Sequence, residues 1–314
     1  MKNRMKVTLH IEPNTPPLSW EEFRAKSPPG SIAIDGYVYG PVQWDPLRKI
    51  LNLNHHEGCD RLTTRCTAAQ ANILIRSGLM RALEGAGELH LWMNDCDEDV
   101  TATVWSFQNA HRVETTSNPI LNRIINVEDL LDTTAGAYGF SPQMPAIMEN
   151  NWVFEHYKIA RLNGALARRD PVEFRSIIDA GCDRISRTLA GGGEKLELDV
   201  RYEVIDTGTG WSMVREIGFN ARIGMYANGI NAFVAAKALG NSRYTYSIGR
   251  RSIFIPFPVT EILSTLDEHE GDTVNHWGGG DTIGGSPRAT GSRITPIEVK
   301  QIIEDLLHPH AVAA

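Results

Sequence analysis

The chain has 314 residues, 42% of them hydrophobic and 22% charged, enough for two domains each with its own core. A formal net charge of -7 argues against a surface that coats extended duplex nucleic acid. No apolar run approaches the ~20 residues that span a membrane, which leaves soluble enzymes and binding modules to weigh.

The first six residues are basic, but Val7 to Ile11 is too short for the core of a signal peptide and reads as a first strand. Glu12-Pro13-Asn14-Thr15-Pro16-Pro17 cannot continue it. Ser19, with Glu22 at the capping-box position, predicts a short helix stopped by Pro28-Pro29-Gly30. Ser31 to Ile34 is the next strand and ends in Asp35-Gly36. Lys49 to Leu53 alternates like a buried strand and runs into Asn54-His55-His56-Glu57-Gly58-Cys59-Asp60. Neighbouring side chains on a strand point to opposite faces, so His55 and His56 meet only where the chain leaves the sheet. Open α/β folds place their chemistry at such strand ends.

Thr67 to Leu83 predicts a helix, broken by Gly85-Ala86-Gly87, and Glu88 to Met93 a strand. That strand runs into Asn94-Asp95-Cys96-Asp97-Glu98-Asp99, four carboxylates in five residues that repel one another without a counter-ion. Either the run is a solvated turn at the N-terminus of a helix over Thr101 to Phe107, or Asp95, Asp97 and Asp99 hold a cation. Ile124 to Leu131 leads to Asp132, which taken alone reads as a cap or turn aspartate. Pro142 and Pro145 break the pattern before an amphipathic helix over Asn151 to Leu166. A further helix over Pro171 to Leu189 ends in Gly191-Gly192-Gly193, the candidate boundary between domains over 1–190 and 194–314.

Beyond it, Leu196 to Ile205 reads as a strand, and Ile217-Gly218-Phe219 and Gly224-Met225-Tyr226 look β-like. Ala232 to Leu239 is a short helix or strand, and Arg243 to Ile248 alternates. Gly249-Arg250-Arg251-Ser252 precedes a strand over Ile253 to Phe257 and a helix over Val259 to Leu266. Between Gly278 and Gly291 lie six glycines, in a loop whose amides can turn inward around an anion. Arg288 and Arg250 or Arg251 would add bidentate contacts to phosphate or carboxylate. A helix over Pro296 to Leu307 closes the chain. The fold expected is α/β: an N-terminal parallel sheet flanked by helices, then a smaller C-terminal α/β domain with a mixed sheet. Cys59, Cys66, Cys96 and Cys182 form no Cys-x-x-Cys pair and, with no export signal, are expected as reduced cytoplasmic thiols.

Three groups of these residues resemble the DHH phosphoesterase superfamily with its associated C-terminal domain. Asp35, then Asn54-His55-His56 after a strand, looks like the family's second and third motifs, and Leu131-Asp132-Thr133 like its fourth. Tyr246 to Ser252, a helix, and Gly278-Gly279-Gly280-Asp281 to Gly291 resemble the associated domain's S-x-R-S and GGGH signature. The family's DHH is Asn54-His55-His56 here, and its GGGH ends in Asp281. The opening motif has either decayed around His10 or is displaced to the Asp95 to Asp99 run.

The resemblance implies a metal-dependent hydrolase holding one or two Mn2+ ions, or Mg2+, through Asp35, His55, Asp95, Asp97, Asp99 and Asp132. His56 and Asp60 would act in catalysis. Arg250, Arg251, Gly279, Gly280, Asp281, Gly285, Ser286 and Arg288 would hold a phosphorylated small molecule or short oligonucleotide in an interdomain cleft. Two alternatives stay open: hydrolysis of an amide, amidine or cationic substrate, and a catalytically inactive binding protein. Trp152, Phe154 and Trp211 are candidates for a homodimer contact, although such residues are more often core.

Overall fold

A computed structural model of the chain describes residues 5–56, 58–115, 117–287 and 290–308. The chain forms two units with separate cores, one of Met1–Thr133 with Gln143–Glu197, the other of Thr134–Pro142 with Leu198–Ala314. Both are α/β.

The first unit begins with β1 (Val7–Ile11), α1 (Trp20–Lys26), β2 (Ser31–Ile34), β3 (Gln43–Asp45) and β4 (Ile50–Leu53). It continues with α2 (Thr67–Arg76), α3 (Leu79–Ala82), β5 (Leu89–Met93), α4 (Glu98–Gln108), α5 (Ala110–Thr115) and α6 (Pro119–Thr133). After the segment that belongs to the second unit come α7 (Pro145–Val153), α8 (Glu155–Leu162) and α9 (Pro171–Arg187). Among the described residues the sheet order is β1-β5-β2-β4-β3, parallel except for β3, which runs antiparallel to β4 at the edge.

Alternation along the strands sorts residues between two cores. Ile32, Ile34, Leu51, Leu53, Leu89, Leu91 and Met93 face a core completed by side chains such as Ala68, Val104, Ile124 and Ile178. Ala33 and Ile50 face the other side, where Phe23 of α1, Tyr37 and Val38 cover them. The predicted capping box forms, with Ser19 accepting from the Glu22 amide.

Several expectations are corrected. The helix over Thr67 to Leu83 divides into α2 and α3 because Gly78 adopts φ +103°, a left-handed conformation that interrupts the turn. Pro145 starts α7 instead of breaking it, since a first-turn residue needs no amide donor. The helix over Asn151 to Leu166 divides at Phe154. Asp132 lies in the last turn of α6 and is neither an N-cap nor a turn residue. Trp152, Phe154 and Trp211 are buried in the cores of their own units, the core role that is more usual for such residues.

The second unit holds β6 (Tyr202–Gly208), β7 (Trp211–Glu216), α10 (Ala221–Ala227), β8 (Ala232–Gly240), β9 (Arg243–Arg250), α11 (Val259–Glu270), β10 (Gly278–Gly279), β11 (Ile283–Gly285) and α12 (Pro296–Leu307). Its sheet, ordered β10-β11-β9-β8-β7-β6, is mixed, because only β7 and β8 are parallel. Ala232, Val234 and Ala236 face α11 and α12, while Phe233 and Ala235 face Met225 and Tyr226 of α10 and Ala137. Burial on both faces explains why β8, ambiguous in sequence, is a strand.

Gly224-Met225-Tyr226 is helical and not β-like, and Ile253 to Phe257 is a run of turns. There Pro256 supplies no amide donor, and Phe254 is 85% exposed. The strand expected from Leu196 begins only at Tyr202. Leu196 instead bonds the Met148 carbonyl, and the Leu196 and Glu197 carbonyls accept from Asn151, which ties them to the first unit.

Candidate metal centre

The carboxyl ends of β2 and β4 lie side by side, with Ile34 opposite Leu53 and the Asp35 amide bonded to the Leu53 carbonyl. Asp35 and Gly36 take φ +53° and +78° in a turn closed by the Tyr37 amide on the Ile34 carbonyl. Asp-Gly favours two successive left-handed residues, so this sequence turns tightly at the strand end. A Cβ on Gly36 would stand 3.2 Å from the His56 ring. Just past the end of the neighbouring β4, Asn54 is fully buried, its Oδ1 accepting from the His56 amide at 2.9 Å and its Nδ2 donating to the Gly40 carbonyl at 2.8 Å. The two bonds fix the turn that separates His55 from His56.

His55 is fully buried, and three carboxylates surround its Nε2: Asp132 Oδ2 at 3.0 Å, Asp35 Oδ1 at 3.2 Å and Asp99 Oδ2 at 3.5 Å. One N–H cannot serve three acceptors. Asp132 Oδ2 has no hydrogen-bond partner among the described residues despite its approach to His55. A divalent cation with ligands at about 2.1 Å and right-angle geometry spaces adjacent ligand atoms by about 3 Å. The three distances from His55 Nε2 match that spacing, and the cluster Asp35, His55, Asp99 and Asp132, whose ligand atoms all lie within 4.8 Å of one another, could hold a metal ion.

Each ligand is anchored by its own element. Asp99, in the first turn of α4, accepts from the Thr67 and Ala68 amides at 2.7 Å, satisfying the start of α2, which lacks a side-chain cap of its own. Asp129 of α6 accepts from the adjoining Cys66 amide at 2.8 Å. Asp132 is held by Arg61, whose Nη2 lies 2.7 Å from Oδ1 and 2.9 Å from the carbonyl. His56 is half-buried, and its Nε2 lies 2.6 Å from Asp35 Oδ1.

The electrostatics follow from crowding. Burial opposes charge on His55, but the Asp132 and Asp35 carboxylates outweigh it and raise the imidazole to about 11. Burial also acts on Asp35, yet His56 and the hydrogen bonds from both imidazoles hold that carboxyl far below its usual range. Asp99 is raised to about 7 by burial and then by Asp35 and Asp132. Asp132 is lowered despite burial because His55 and Arg61 favour its charge.

Of the three aspartates at alternate positions, only Asp99 joins the cluster. Asp97 caps α4, accepting from the Val100 amide at 3.0 Å, and Asp95 accepts from the Cys96 amide at 2.7 Å. Alternation fails as a guide there because the chain enters a helix and not another extended segment. Asp97 remains in the cluster's field: burial and the Asp35, Asp95 and Asp132 charges push it well up. Asp60 closes its own turn through the Leu62 amide and belongs to neither candidate ligand group. His10 pairs with His90 at 3.0 Å and stacks on Trp92 along β1 and β5.

In the second unit, Arg250 donates through Nε to the Asp281 carbonyl at 2.8 Å and through Nη1 to the Ile255 carbonyl at 3.1 Å, binding two loops together. Arg251 remains exposed, as do Gly279, Gly280 and Asp281, while Gly285 lies in β11. The buried Ser286 Oγ accepts from the Tyr246 amide at 3.0 Å. Arg288 lies outside the described residues, as does Glu57.

Sequence reasoning missed Arg61, whose only local signal is an arginine five residues beyond a double histidine. All four cysteines are free thiols, and no helix among the described residues is long and apolar enough to cross a membrane. No protein-family model matches the chain, and no curated protein matches it.

Proposed function

We propose that the chain is a divalent-cation-dependent hydrolase of phosphorylated small molecules or short oligonucleotides. The observation that carries this reading is the convergence of Asp35, Asp99 and Asp132 on one buried imidazole nitrogen at 3.0 to 3.5 Å. Oxygen donors with a single imidazole suit Mn2+ or Mg2+ better than softer metals. When bound, such a cation supplies Lewis acidity and lowers the pKa of water. Asp35 and Asp132 would offer charge for it, Asp99 would be a ligand held in place by its bonds to α2, and His56 would donate a hydrogen bond to Asp35.

The phosphoester part rests on the resemblance of Asp35, Asn54-His55-His56 and Asp132 to DHH phosphoesterase motifs. Asn54 Nδ2 donates to the Gly40 carbonyl, a contact that a carboxylate cannot make. The test is a Mn2+-supplemented panel of a nitrophenyl phosphodiester, pyrophosphate, short oligonucleotides and cyclic dinucleotides. Turnover of at least one, abolished by chelation and by Asp35→Asn, is expected. Cation binding without turnover of any would remove the phosphoester assignment and leave a metal-binding protein.

A further inference from the structure

We infer that Arg61 is the positioning residue of the cluster, holding Asp132 for a cation and fixing His56 as a hydrogen-bond donor to Asp35. The inference rests on the reading that the cluster binds a divalent cation. Arg61 lies in the loop between β4 and α2, and its side chain is 21% exposed. Its Nε and Nη2 reach the Asp132 carbonyl at 3.3 and 2.9 Å, and Nη2 also reaches Asp132 Oδ1 at 2.7 Å. That carbonyl belongs to the last turn of α6, where helical carbonyls lack partners within the helix. One guanidinium thus caps the helix and restrains the carboxylate on it. With Oδ1 engaged, Oδ2 is the oxygen that faces His55 at 3.0 Å.

The remaining arm, Nη1, lies 3.2 Å from His56 Nδ1. A guanidinium has only N–H groups, so the 3.2 Å contact is a hydrogen bond when His56 Nδ1 presents its lone pair. The ring proton then sits on Nε2, 2.6 Å from Asp35 Oδ1. Arg61 therefore orients the His56 ring with Nε2 towards the neighbouring Asp35 carboxylate. Lysine, a single point charge without a planar fork, cannot hold carbonyl, carboxylate and imidazole together.

The experiment records imidazole 15N spectra and Mn2+ titration calorimetry on the full chain, in wild type, Arg61→Gln, Arg61→Lys and Arg65→Gln. Spectra are taken without metal. Arg65, which pairs with Asp129 at 3.1 Å and is 53% exposed, is the control from the same loop. Wild type is expected to show His56 in the single form protonated at Nε2. Arg61→Gln is expected to lose that signature and to weaken Mn2+ binding by about 10- to 100-fold, the usual effect of removing a ligand's outer partner. Arg61→Lys should recover only part of either, and it carries the test if the Gln variant does not fold. Arg65→Gln should leave both readouts in place. A lysine or glutamine variant that matches wild type in signature and affinity overturns the role of Arg61. Absence of Mn2+ binding in wild type overturns the cation reading instead, and the His56 spectrum still decides whether Arg61 sets the ring.

Discussion

At the scale of single residues, His55 is where the chain's charge is concentrated. Its Nε2 is the common neighbour of three carboxylates, more acceptors than one N–H can serve. His55→Gln is predicted to leave a folded protein, checked by far-UV circular dichroism, that no longer gains thermal stability from added Mn2+. Retained stabilisation would detach the histidine from the centre. The pH dependence follows from two raised groups: without metal, His55 titrates at about 11 and Asp99 at about 7, so both hold protons at mildly acidic pH. A cation must displace them. Mn2+ affinity is therefore predicted to rise with pH from about 5 to 8, with net proton release. Calorimetry in buffers of differing ionisation enthalpy measures that release, and a flat profile would contradict it. The histidine pair was legible in the sequence because it directly follows an apolar strand. Arg61 was not, because its role depends on a helix end 71 residues away.

At the scale of elements, turns and caps place the ligands. Gly36 combines φ +78° with a ring 3.2 Å from where a Cβ would stand, so Gly36→Ala meets backbone strain and a tight contact to which the His56 ring must yield. It is predicted to destabilise the protein by about 1 kcal/mol or more in urea unfolding. It should also weaken Mn2+ binding by displacing His56. Asp99→Asn tests a double role, because one of the oxygens accepting from the Thr67 and Ala68 amides becomes an NH2 group. The expected outcome is a loss of about 1 kcal/mol, together with weaker cation binding. A variant that lost metal affinity at unchanged stability would show that the cap is dispensable. The capping boxes at Ser19 and Thr295 were readable from local spacing alone. The helical state of Ala221–Ala227 was not, because a short apolar run fits either period until a neighbouring sheet face selects one.

At the scale of the whole molecule, the four residues of the cluster that could hold a cation, Asp35, His55, Asp99 and Asp132, belong to the first unit. A ligand that binds only the folded state stabilises it by about 2.7 kcal/mol at one hundred times its dissociation constant. Mn2+ is therefore predicted to slow hydrogen exchange in β2, β4 and the start of α4; unchanged exchange there at saturating metal would contradict the site. Thr134–Pro142 follows Asp132 almost directly yet packs with the second unit, placing Ala137 against Val214, Met225 and Phe233. That excursion has no compositional mark. Alternation, turn chemistry and capping determined from sequence alone the α/β class and the histidines at a strand end, while the parallel first sheet and the mixed second one were expected from the family resemblance. Tertiary structure decided which aspartates of the acidic run meet His55, that Asp132 arrives on a helix, and that Arg61 holds it. The physical reason is range: periodicity and capping act over a few residues, whereas a ligand set is closed by side chains from separate segments, whose meeting depends on how the elements pack.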